Sequence, residues 1–141
     1  MYEPNAAHQQ WLEEFLTAFD AVAGSVHEQR GEDLFLTAAK NLPPPVISAV
    51  AHVPRGKGMA GLAQVRKSAV QTCDLQTDNT GAVKSGAKAV NARAGIAVPV
   101  LTPGGDVLAV VGAAWMTEGD ISPDREQVIM QAAASLPISV P

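Results

Sequence analysis

The chain has 141 residues, of which 47% are hydrophobic, 17% charged and 4% aromatic, with a formal net charge of −4. That length suits one domain with its own core, and the composition excludes an intrinsically disordered chain. The acidic balance and the scarcity of aromatics argue against nucleic-acid binding, and a single cysteine, Cys73, excludes an internal disulfide or a CxxC zinc site.

In chain order, Trp11, Leu12, Phe15, Leu16, Phe19 and Val22 recur at three and four, which predicts an amphipathic helix over 5–23. Asn5 is placed to cap its start and Gly24 to stop its end. Its acids, Glu13 and Glu14, keep this stretch from reading as a signal peptide. Strands over Ser25–Gln29 and Leu34–Ala39, joined by the turn Arg30–Asp33, form a predicted hairpin. Asn41–Pro45 (NLPPP) breaks the chain and permits a short helix from Val46 to about Ala51. A second short helix follows at Met59–Lys67, then a strand at Ala69–Leu75 and a long loop over 74–94. Gly95–Leu101 and Val107–Met116 are strands joined by the turn Thr102–Asp106. Both are apolar at odd and even positions, so both faces of their sheet must be covered. The second of these, the longest apolar run, is too short to span a bilayer, and the expectation is a cytoplasmic protein without membrane contact. Ser122, Pro123 and Asp124 open a last helix over 122–136, with Ile121, Val128, Ile129, Ala132, Ala133 and Leu136 as its buried stripe. The resulting fold class is α+β: a central, mostly antiparallel sheet (24–116), terminal helices on one face, short helices and the long loop on the other.

Basic residues concentrate in the middle (Arg55, Lys57, Arg66, Lys67, Lys84, Lys88 and Arg93 against Asp74 and Asp78), between acidic flanks. Such a segment can attract an anionic small molecule or can be a solvated loop. Gly56, Gly58 and Gly61 have the spacing G-x-G-x-x-G. A dinucleotide site needs a strand running into the first glycine, a full crossover helix, and an acid roughly 20 residues on. Here Asp74 arrives after only about a dozen residues, and the helix has room for barely two turns. The glycines are instead assigned a structural turn: Gly56 and Gly58 for backbone angles closed to other residues, Gly61 for close helix packing.

The segments Leu34–Asp78, Ala92–Met116 and Ser122–Leu136, with their p-x-G-x-G-x-x-G turn, vPv strand, glycine turn and vGv strand in order, resemble the GAF domain family over about Val22–Leu136. The whole chain, 1–141, is then one GAF-like domain. The resemblance implies a non-catalytic sensory or regulatory module in signal transduction, with a ligand pocket between the sheet and the short-helix side. Carried onto this chain, that pocket takes Met59, Leu62 and Val65 from the short helix, Cys73 and Asp74 at a strand end, Arg93 at the loop exit, and Ile96 and Val98 from the following strand. The bland alternative is that these apolar residues only fill a core.

No cofactor or metal is expected, only a small ligand of unknown identity. One family branch reduces free methionine sulfoxide, which calls for an attacking and a resolving thiol. Cys73 alone supports that chemistry only with an external thiol, and a buried apolar role for it is the simpler reading. His8, His27 and His52 form no ligand spacing and are read as surface or capping residues. Trp11, Phe15 and Phe19 form a bulky stripe that either covers the sheet or pairs subunits, since terminal helices of GAF proteins often pair. A homodimer through that face is the expected assembly, with a purely structural dimerisation module as the ligand-free alternative.

Overall fold

The computed structural model describes residues 3–72, 94–116 and 121–138. Helix α1 (Ala6–Ala18) begins where the Asn5 side chain accepts the His8 N–H at 3.0 Å, satisfying a donor that every helix start leaves free. It ends earlier than its apolar period predicts. Asp20 takes a left-handed φ of 55°, its N–H meets the Thr17 carbonyl at 3.3 Å, and the Ala21 N–H meets the Leu16 carbonyl at 2.9 Å. These two bonds are the paired closure of a helix C-terminus. Gly24 is therefore not the stop. It lies in strand β1 (Ala23–Arg30), where a Cβ would stand 2.6 Å from the Gly112 carbonyl oxygen and 2.7 Å from Leu16 Cδ2. Glycine there lets α1 lie close on the sheet.

β1 and β2 (Asp33–Lys40) form the predicted hairpin. The register slips so that Val26 faces Ala38 while His27 faces Leu36, leaving Thr37 as a bulge residue. Helix α2 (Pro44–Val50) follows the proline run, then comes the two-residue strand β3 (His52–Val53), which the sequence pattern does not reveal. Helix α3 (Gly58–Arg66) and strand β4 (Val70–Thr72) come next. Strands β5 (Ala94–Leu101) and β6 (Val107–Trp115) form the second hairpin, and helix α4 (Pro123–Ala133) starts at Ser122, whose hydroxyl accepts the Arg125 N–H at 3.2 Å.

The strands line up as β3-β2-β1-β6-β5-β4, every neighbouring pair antiparallel. One face carries Val26, Ala38, Ile96, Val98, Val100, Ala109, Val111 and Ala113, packed under Leu12, Phe15 and Leu16 of α1 and Ile129 and Ala133 of α4, with Leu136 just beyond α4. The opposite face packs Leu34, Val70, Ala97 and Val110 against Ala63 of α3. Alternate residues of β5 serve different faces, and all seven from Ala94 to Val100 are buried. The expectation of a sheet covered on both sides holds. Val128, assigned to the buried stripe of α4, is instead 52% exposed. On α1 the aromatic stripe belongs to the core: Phe15 is buried, Trp11 stacks on it at 4.8 Å, and the Trp11 indole N–H donates to Ser135 at 2.9 Å.

Candidate functional site

The glycine turn positions the second face. The Lys57 N–H bonds the Pro54 carbonyl at 3.1 Å, and Gly56 and Gly58 hold φ of +81° and +63°, angles that side-chain-bearing residues avoid. Gly61 is buried, and a Cβ on it would lie 2.6 Å from the Gly56 carbonyl carbon. It packs against the turn itself rather than against the sheet. The preceding strand is the two-residue β3, antiparallel to β2, so the parallel crossover of a dinucleotide site is absent.

One turn of α3 beyond Gly61, Gln64 is 1% exposed. Its Nε2 donates to the Glu32 carbonyl at 2.7 Å and to Gln29 Oε1 at 3.1 Å, while its own Oε1 is buried and has no hydrogen-bond partner among the described residues. A buried amide oxygen left unpaired costs about 1–3 kcal/mol. His27, two residues before Gln29 on β1 and so on the same face, is 4% exposed and donates from Nε2 to the Val50 carbonyl at 2.9 Å. Burial lowers its pKa from 6.5 to about 4, against a smaller opposing effect of the Val50 bond, so the ring is neutral near pH 7. The second face thus combines an apolar floor with three polar side chains, His27, Gln29 and Gln64. None of the three is singled out by motif. Gln64 alone had a readable signal, a polar residue three positions from a glycine on the packed side of a short helix.

The predicted pocket residues divide. Met59 and Leu62 lie on α3, half-buried against the Leu34–Val110 cluster, while Val65 on the same helix is 41% exposed. Ile96 and Val98 do not join them: both point to the opposite face, under α1 and α4. Their neighbour Ala97 is the β5 residue that meets the α3 side, because side chains alternate across a strand. Cys73, Asp74 and Arg93, together with Lys84 and Lys88, lie outside the described residues. Arg55, Lys57, Arg66 and Lys67 are exposed.

The histidines also depart from expectation. His8 is 2% exposed, with Nδ1 2.8 Å from Thr37 Oγ1 and Nε2 donating to the Pro137 carbonyl at 3.0 Å. It bolts α1 to the β2 bulge and to the segment after α4. Only His52 is exposed. It pairs with Asp33 at 2.7 Å and stacks on Phe35, and its hydrogen bond holds the Asp33 carboxyl below the usual carboxylate range. Among the described residues no three His, Cys, Asp or Glu side chains are grouped to hold a metal ion, and no helix is long and apolar enough to cross a membrane.

Among the described residues, helices on both faces of a six-stranded antiparallel sheet, with first and last helix on the same side, define a three-layer α+β domain. The GAF domain family model matches residues 5–138. The chain belongs to the GAF domain family. Among solved structures it is similar to the GAF domain of an Acinetobacter phosphoenolpyruvate-protein phosphotransferase, with 19% identity, a TM-score of 0.73, and coverage of 92% of this chain and 76% of that one. It is similar to the type II free methionine-R-sulfoxide reductase of Thermoplasma acidophilum, with 15% identity, a TM-score of 0.70, and coverage of 93% and 92%. The free methionine-R-sulfoxide reductase of Neisseria meningitidis, solved with its substrate, matches at 16% identity and a TM-score of 0.65, covering 87% and 73%. At these identities the likeness is one of fold. No curated protein matches the chain.

Proposed function

We propose that this chain is a non-catalytic, small-molecule-binding sensory domain, cytoplasmic and homodimeric, whose ligand sits on the α3 face of the sheet. The observation that supports the reading most is the buried Gln64 Oε1, without a hydrogen-bond partner among the described residues, on a side chain that bonds Gln29 at the apolar α3 face, the sheet face that also carries His27. A few polar groups converging on an apolar wall is the usual composition of a small-ligand site. An acceptor without a partner favours a ligand that presents an N–H or O–H. Met59 and Leu62 supply apolar contact, and Cys73, Asp74, Arg93 and exposed Val65 complete the proposed lining. Ile96 and Val98, on the other face, are not part of it. The subunits of the proposed dimer meet through the outward sides of α1 and α4, where Val128 is exposed, since the aromatic stripe already covers the monomer's own sheet.

Native mass spectrometry of protein purified from its own host tests both parts. The expected result is a dimer mass carrying a co-purifying small molecule that is lost in Gln64→Leu. A bare protein that no small-molecule panel stabilises against heat removes the ligand reading and leaves a structural module. A monomer at high concentration in analytical ultracentrifugation removes the dimer.

A second reading, reduction of a sulfoxide, is favoured by the near full-length match to the Thermoplasma reductase. In it the Cys73 thiolate takes the sulfoxide oxygen and, with one proton from solvent, becomes a sulfenic acid as the thioether leaves. One external thiol then forms a mixed disulfide and releases water, and a second restores the thiolate. The chain contains one cysteine, so every turnover depends on those two external thiols. Wild-type protein that produces no methionine from free methionine-R-sulfoxide and dithiothreitol eliminates this reading.

A further inference from the structure

Among the described residues strand β4 is an outermost strand, and it pairs with β5 at Val70 with Ala97, Gln71 with Ile96 and Thr72 with Gly95. Its two described side chains reach in opposite directions. Val70 is buried in the α3 cluster. Gln71 turns to the other face and engages the start of α4 with its whole amide. Its Oε1 accepts the Ile121 N–H at 2.9 Å, and its Nε2 donates to the Ile121 carbonyl at 3.2 Å and to Glu126 Oε2 at 2.8 Å. One side chain thus pairs with the backbone of Ile121 on both sides, as a neighbouring strand residue does, and also grips the first turn of α4. The other described tie from that turn is exposed: Arg125 donates to the Phe19 carbonyl at 3.2 Å and lies over the Phe19 ring.

We propose that β4 and the first turn of α4 open and close as one unit, with Gln71 as the link between them. Edge strands and the first turns of helices are among the parts of a fold that open locally. When one such element supplies the hydrogen bonds of another, their opening is coupled. The functional consequence rests on the ligand reading above: β4 leads in sequence directly to Cys73 and Asp74, so a ligand that stiffens β4 also stiffens α4, a helix on the proposed dimer face. Gln71 is a positioning residue in this scheme and touches no ligand.

Hydrogen–deuterium exchange on the full chain tests the link without any ligand, so its failure leaves the binding proposal intact. Val70→Ala loosens β4 from the α3 side. In the wild-type background this substitution is expected to speed exchange roughly tenfold both in β4 and at 121–126, a size in line with loss of one to two neutral hydrogen bonds. In a Gln71→Leu background, residues 121–126 already exchange fast, and Val70→Ala adds nothing there while still loosening β4. A donor–acceptor swap provides the rescue. Gln71→Glu keeps the acceptor for the Ile121 N–H but sets two carboxylates together, so exchange at 121–126 rises. Adding Glu126→Gln returns a donor–acceptor pair and slow exchange. Slow exchange at 121–126 in the Val70→Ala variant overturns the proposal. So does an equal effect of Val70→Ala with and without Gln71, or a swap that restores nothing.

Discussion

Gly61 sets two local forces against each other. In an open helix, replacing glycine by alanine gains about 1 kcal/mol from lower backbone entropy in the unfolded chain. Here the added Cβ meets the Gly56 carbonyl carbon at 2.6 Å and its Cα and N at 3.0 Å, all backbone of a turn that the Lys57–Pro54 bond holds closed. Backbone cannot rotate aside as a side-chain end does, and overpacking of this kind costs about 1–3 kcal/mol. The clash outweighs the helix gain. Gly61→Ala is expected to lower stability by roughly 1 kcal/mol in urea denaturation, and a variant as stable as wild type removes this account of the motif. The same geometry accounts for the spacing G-x-G-x-x-G in this chain: Gly56 and Gly58 hold positive φ, and Gly61 lets the helix pack on the turn that starts it.

Among the elements, those with many periodic apolar residues were legible and those fixed by one local bond were not. The first helix, both hairpins and the last helix follow from their patterns. The end of α1 does not, because Phe19 and Val22 continue the apolar spacing while Asp20, not a glycine, turns left-handed and closes the helix. That conformation costs a side-chain-bearing residue on the order of 1 kcal/mol, less for aspartate than for most. Asp20→Gly is therefore expected to raise stability by a few tenths to about 1 kcal/mol, and Asp20→Val to lower it by about 1 kcal/mol or more. Equal urea midpoints for all three proteins refute the assignment of Asp20 as the helix stop. Strand β3 was hidden for another reason: two residues carry no period.

For the whole molecule, the illegible part is which side of the sheet each residue serves. β5 is apolar at every position, so alternation is erased from its sequence. Ile96 and Val98 are assignable to the α1–α4 face only from the packing. The polar side chains of the α3 face are hidden differently, scattered over β1 and α3 and joined only by the fold. His27 gives that face a measurable signature across the whole stability curve. Its native pKa of about 4 lies below the unfolded 6.5, so between these values the unfolded chain binds a proton that the native protein excludes. Stability is undiminished above pH 6.5, falls as the pH drops, and has lost the full contribution below about 4. At about 1.4 kcal/mol per pKa unit the loss is on the order of 3–4 kcal/mol. His27→Gln retains a donor for the Val50 carbonyl and has nothing to titrate. With urea midpoints measured from pH 8 to 4, those of wild type are expected to fall more steeply below pH 7 than those of this variant, and the two curves to run parallel above it. An identical slope in both proteins means that His27 takes up its proton in the folded state, and that the α3 face admits charge where this structure keeps it out.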